Sequence, residues 1–224
     1  MTHVTLVRPP TLVAKWAHTT PTCPPIGLAY VAGALRHAGH DVHAVDAVGE
    51  ASEQMLETDD RRFLSHGLSV EDIVARVPAN TKVIGISCMF SHEWPLTRDI
   101  IDALDRRFPE ARIVAGGEHV TALPAFSLND CRALDACVVG EGEETFVELI
   151  DAFDHGRPLR KVAGVHYRDN DSIADTGSRM RIRQIDDIPP PAWELFPLET
   201  YLDRGYGFGA VSYTHLTLPT IYSV

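Results

Sequence analysis

The chain has no apolar run approaching the roughly 18 residues that a membrane-crossing helix needs. Its opening, MTHVTLVRPP, lacks a basic stretch followed by an apolar core, so no secretory signal is read there. Positive charge is scarce: 20 Lys and Arg against 31 Asp and Glu leave a formal charge of −11. Neutralising phosphates needs a basic footprint, so neither nucleic acid nor an anionic membrane surface is an expected partner. Only four cysteines occur (Cys23, Cys88, Cys131 and Cys137), none closely paired, which fits reduced thiols and a cytoplasmic setting rather than a disulfide framework. A Gly-x-Gly-x-x-Gly turn is missing after the first apolar run, where Arg8-Pro9-Pro10 stands, and no Gly-Lys-Ser/Thr phosphate loop occurs. NAD or ATP bound in the usual mode is therefore not expected.

What is present is an alternation of short β-branched runs with amphipathic stretches. Val4-Thr5-Leu6-Val7 predicts a strand, stopped by the prolines of a loop that reaches about Pro25. Leu28, Val31, Ala32, Leu35 and Ala38 mark one helix face, and Gly39 closes that helix. Strands are predicted at 41–46, 82–87, 112–115 and 136–139, with helices after Ser69, over 95–108 and over 143–153. Residues 49–67 are polar and read as irregular. The spacing predicts a doubly wound α/β fold with a five-stranded parallel sheet, flavodoxin-like or Rossmann-like, over residues 1–157. Residues 158–209 follow as a β-hairpin, with its turn at 168–171, and a stiff Pro-rich connector around Ile188-Pro189-Pro190-Pro191-Ala192-Trp193 that leads toward a further domain. Residues 210–224 read as a non-native tail, since SYTHLTLPTIYSV resembles translated adapter read-through, and no function is argued from them.

In an open parallel sheet, ligands bind outside the carboxyl ends of the strands. That rule selects residues 8–25, 87–92, 116–121 and 140–145, where small or polar residues stand as covered strands give out. His119 reads equally as a surface residue or as a ligand or hydrogen-bond donor, and Cys88 as a small buried hydrophobe. The acidic residues after Gly140 either cap a helix or accept hydrogen bonds from a large neutral ligand. His37, His40 and His43 straddle a helix end and a strand start, so a shared metal-facing side is not expected. No catalytic trio can be singled out, and these residues read as a binder.

Pro24-Pro25-Ile26-Gly27-Leu28-Ala29-Tyr30, Leu35 to Val42, Gly116-Gly117-Glu118-His119-Val120-Thr121 and Gly140-Glu141-Gly142-Glu143, in this order, resemble the N-terminal cobalamin (B12)-binding domain of B12-dependent radical SAM enzymes. The resemblance implies a corrinoid held over the strand ends, with its nucleotide tail threaded into the fold. By residue match, Ser87, Met89 and Ser91 would line the corrin or tail pocket. Gly116, Gly117, His119 and Thr121 would approach the tail and its phosphate, and Gly140, Glu141, Gly142 and Glu143 the ring-edge amides. In that family a following barrel binds a [4Fe-4S] cluster through Cys-x-x-x-Cys-x-x-Cys, uses S-adenosylmethionine, and often methylates through methylcobalamin. This chain has no such cysteine motif, so the resemblance implies a chain cut before the radical SAM barrel and inactive alone. It also lacks Asp-x-His-x-x-Gly, since Asp46 stands where Asp41-Val42-His43 would need Gly; the implied state is base-off cobalamin without a histidine ligand. Two other classes remain open here. One is a cofactor-free, response-regulator-like interaction domain, although Asp46 lacks the partner Asp it would need. The other is a nucleotide-binding α/β enzyme.

Overall fold

The computed structural model describes residues 1–17, 22–170 and 172–203. The predicted tail, the end of the connector and Asp171 of the hairpin turn lie outside the described residues. In chain order the elements are β1 (His3–Arg8), β2 (Thr11–Ala14), α1 (Ile26–His37), β3 (Asp41–Asp46), α2 (Ala47–Glu50), β4 (Met55–Glu57), β5 (Phe63–His66), α3 (Val70–Arg76), β6 (Val83–Ser87), α4 (Trp94–Arg107), β7 (Arg112–Gly116), α5 (Glu118–Ala122), α6 (Pro124–Asp130), β8 (Ala136–Val138), α7 (Glu143–Asp154), β9 (Val165–Asp169), β10 (Ser172–Asp175) and α8 (Leu198–Asp203).

The main sheet has the order β10-β9-β8-β7-β6-β1-β3. Its five strands β8, β7, β6, β1 and β3 are parallel, as the spacing predicts. Strand neighbours continue on both sides of β1, so the winding reverses between β1 and β6. The hairpin does not stand apart: β9 runs antiparallel to β8, pairing Ala136 with Tyr167 and Val138 with Val165, and lengthens the sheet to seven strands. Alternation divides the strands between two cores. Val7, Ile84, Ile86, Ile113, Ala115 and Cys137 face α3, α4, α5 and α6. Val4, Leu6, Val83, Val114, Ala136 and Val138 face α1 and α7. Local signals end the helices where expected: Ser69 accepts from the Asp72 N–H at the start of α3, and Gly39 turns the chain at φ +87° after α1.

Residues 49–67, read as irregular, instead carry α2, β4 and β5, and β5 pairs with both β2 and β4 in a small antiparallel sheet. Three- and four-residue strands carry too little alternation to be seen locally, and the partner of 63–66 lies some fifty residues upstream. Residues 118–130, to which no element is assigned from the sequence, form α5 and α6, the latter opened by Pro124 at a position where a missing N–H costs nothing.

The small sheet is tied to the main one through Glu93, which is buried and accepts from the Leu12 N–H at 3.2 Å. Burial pushes its carboxyl from an ordinary 4.5 up to about 7, against the opposing pull of that N–H and of Arg8. The folded state therefore holds the proton more tightly than the unfolded chain. Stability is greatest below the unfolded value and falls as pH rises from about 4.5 to about 7, by roughly 3 kcal/mol at about 1.4 kcal/mol per unit. Glu93→Gln keeps an acceptor without the charge. Urea unfolding should find it more stable than the parent at pH 8 and equal at pH 4; equal stability at both would show that the burial is not felt.

Candidate functional site

A cleft opens at the carboxyl ends of β1, β6, β7 and β8, between the sheet and the helices α1 and α7. Its origin is a matter of which residues fall on one face of each strand. Leu6, Gly85, Ser87, Val114, Gly116 and Val138 point to the α1/α7 side, and three of these six have little or no side chain. Gly27, Leu28 and Val31 of α1 form one wall; Gly142, Glu143 and Phe146 at the start of α7 form the other. The cleft has a volume of about 210 Å³ and a mostly apolar lining. Pockets that enclose a whole cofactor-sized ligand run to roughly 300–1,000 Å³. This one is smaller than that range.

Two adjacent glycines do different work. At Gly116 an added Cβ would meet nothing within 4 Å, so its missing side chain is open cleft. Gly117 has φ +111°, and a Cβ there would lie 2.5 Å from the Cys88 carbonyl oxygen, so it is required by the backbone itself. Gly140, at φ +78°, also faces open space, and its N–H donates to Thr121 Oγ1 at 3.1 Å.

Of the residues expected at the site, Ser87, Met89, Gly116, Gly117, Gly140, Glu141, Gly142 and Glu143 are brought together around the cleft. Ser91, His119 and Thr121 are not among its lining residues. His119 is 3 % exposed, stacks on Trp94 with ring centroids 4.9 Å apart, and holds Ser91 Oγ through Nδ1 and Ser127 Oγ through Nε2. Burial lowers its pKa. It is a core histidine with both ring nitrogens hydrogen-bonded. Thr121 acts one step back, through its bond to Gly140. Glu141 is only partly available, since its Oε2 accepts from the Ile182 N–H at 2.9 Å. By contrast, Glu143 Oε2 is buried with no hydrogen-bond partner among the described residues, an unmet acceptor at the cleft wall. A ligand presenting an amide or hydroxyl hydrogen there satisfies it.

The sequence reading missed the α1 wall and Gly85. Gly85 had a signal: a glycine inside an otherwise β-branched buried run marks close packing. A Cβ there would come within 2.8 Å of Leu6 Cδ2 and Phe146 Cε1. The cysteines take no part. Cys88, Cys131 and Cys137 are buried and their thiols pushed up to about 12 by desolvation, whereas Cys23 is exposed. Among the described residues no histidine lines the cleft and no helix is long and apolar enough to cross a membrane.

Comparison with known proteins bears on this geometry. The family model "B12 binding domain" matches residues 16–150. An uncharacterized methyltransferase of Pyrococcus horikoshii is 32% identical over 210 residues, covering 93% of this chain and 42% of that protein. Cytidylyl-2-hydroxyethylphosphonate methyltransferase of Streptomyces wedmorensis is 30% identical over 211 residues, covering 83% of this chain and 39% of that protein. The chain thus spans about two fifths of the length of these relatives. Among solved structures, the cobalamin-dependent S-adenosylmethionine radical enzyme OxsB, with aqua-cobalamin and S-adenosylmethionine bound, shares the fold with a TM-score of 0.69 at 17% identity, over 90% of this chain and 25% of that one.

Proposed function

Because the chain belongs to the B12 binding domain family, we propose that its cleft takes the nucleotide arm of a base-off cobalamin, with the corrin ring lying across the mouth. The observation that carries this is the open face of Gly116 and Gly140 on an apolar slot whose wall holds an unmet Glu143 oxygen. Gly85 and Gly116 keep the floor low, Leu28 and Val31 with Phe146 cover the arm and exclude water, and Glu143 accepts a hydrogen from it. Ser87, Met89, Gly140, Glu141 and Gly142 stand at the rim, where the ring and its amides would pass. When bound, cobalamin supplies a cobalt centre able to carry a methyl group.

In a longer protein of this kind, the chain would be the cobalamin-holding part of a radical SAM enzyme, a methyltransferase by the likeness of its relatives, with [4Fe-4S] and S-adenosylmethionine bound elsewhere in the molecule. The response-regulator alternative has no support at Asp46, whose carboxylate is buried and already bonded to Gly49 N–H and Tyr201 Oη.

The purified 224-residue chain, mixed with hydroxocobalamin and freed of excess ligand, is expected to keep a corrinoid absorption spectrum. A colourless protein would overturn the assignment. After reduction to cobalt(II), the electron paramagnetic spectrum is expected to show no splitting from a coordinated nitrogen; such splitting would overturn the base-off, histidine-free state while leaving binding intact. Glu143→Ala should weaken binding by roughly 10- to 100-fold, the value of a hydrogen bond to a charged group. Unchanged affinity in an equilibrium titration would remove Glu143 from the site.

A further inference from the structure

The connector, expected to be a stiff linker, is packed along the domain. Gly33, inside α1, has the Pro190 carbonyl against it: a Cβ there would lie 2.1 Å from that oxygen. The Ala192 N–H donates to the Ala29 carbonyl of the same helix at 2.9 Å. Arg36 pairs with Glu194 beside this contact. Ala192 and Phe196 are buried in the α1/α7 core. The path ends at Tyr201, 2 % exposed, in α8. Its hydroxyl donates to Asp46 Oδ2 at 2.6 Å and accepts from Arg8 Nη1, while the Arg8 guanidinium lies 5.5 Å from its ring centre. Pro197 and the Tyr201 ring close over Gly49, where a Cβ would come within 2.6 to 2.8 Å of them. Asp46 is thereby satisfied on both oxygens, by Tyr201, the Gly49 N–H at 3.1 Å and Arg8 at 3.5 Å.

Arg8 is the last residue of β1 and Asp46 the last of β3. Both therefore stand at the carboxyl rim, and β6, whose end floors the cleft, is one strand spacing of roughly 4.8 Å from β1. We propose that residues 188–203 are a positioning strap, locked by Tyr201 onto the Arg8–Asp46 pair, that fixes Asp203 at the cleft rim. A polypeptide that must work over a ligand in the cleft is thus delivered to its mouth without a search. The strap rests on geometry separate from whatever fills the cleft, so the two readings fail independently.

Hydrogen exchange on the full 224-residue chain tests this. Residues 188–203 should be protected together in the parent chain. Tyr201→Phe and, separately, Gly33→Leu should raise exchange across all of them at least tenfold, leave the strands β6, β7 and β8 unchanged, and keep cobalamin affinity within about twofold. With spin labels at Asp203→Cys and Glu110→Cys in a Cys23→Ser background, the distance distribution should be narrow and should broaden with Gly33→Leu. Exchange at 188–203 as fast as an unstructured peptide in the parent chain, or loss of protection confined to the substituted residue, would overturn the strap. If one variant does not fold, the parent exchange pattern and the other variant still decide it.

Discussion

Gly116→Leu is expected to abolish cobalamin retention while leaving the protein folded. The position has ordinary backbone angles and nothing within 4 Å of an added Cβ, so the new side chain enters empty space in the cleft. Replacing a glycine where the backbone allows it also reduces the freedom of the unfolded chain, so stability should stay level or rise slightly. The ligand meets a different situation. A leucine now occupies the floor of a slot of about 210 Å³, and forcing extra methylenes into packed space costs roughly 1–3 kcal/mol. Affinity should fall about 10- to 100-fold, enough for the colour to be lost on gel filtration. Titration with hydroxocobalamin, alongside a thermal melt of the same sample, separates the two effects. Wild-type affinity in a folded Gly116→Leu protein would mean that the arm goes elsewhere.

The neighbouring substitution, Gly117→Ala, should behave in the opposite way. Here φ +111° with ψ 178° is a conformation essentially confined to glycine, costing a side-chain-bearing residue about 1–3 kcal/mol. The added Cβ would also lie 2.5 Å from the Cys88 carbonyl oxygen and 2.9 Å from its carbon. Cys88 cannot easily retreat, since its N–H donates to the Gly116 carbonyl at 2.7 Å and its own carbonyl accepts from the His119 N–H at 3.2 Å. Loss of roughly 2–4 kcal/mol is expected, lowering the melting temperature by about 5–15 °C in a chain of this size. A melting temperature within a degree or two of the parent would show that the β7–α5 turn is softer than its hydrogen bonds imply. Two adjacent glycines at the cleft, one leaving its floor open and one required by the backbone, thus give separable outcomes in a single pair of variants.

The parallel strands were legible because each is a short, covered, β-branched run bounded by glycine or proline, and α1, α4 and α7 because their apolar residues recur at helical spacing. Eight of the eleven expected site residues lie around one cleft for a related reason: the carboxyl-end rule needs only strand ends and the small residues that follow them. His119 shows where that reasoning stops. A histidine after two glycines at a strand end looks exposed, but α5 folds it under Trp94 and between Ser91 and Ser127, contacts made by residues 8 to 28 positions away. The wall formed by Gly27, Leu28 and Val31 escaped for the converse reason, since nothing local shows that α1 borders the cleft, whereas Gly85 carried its signal in its own run.

The order of the five parallel strands and of α1, α3, α4 and α7, the absence of a nucleotide loop and the positions where a ligand could meet bare backbone were all determined by the sequence alone, because alternation, helical period and turn chemistry act within a dozen residues. Only the tertiary structure decided which face of the sheet is open, that a Glu143 oxygen has no partner among the described residues, and that Tyr201 closes on Asp46 across 155 residues. Such contacts depend on which layers meet, and no local pattern encodes the partner at the far end of a loop.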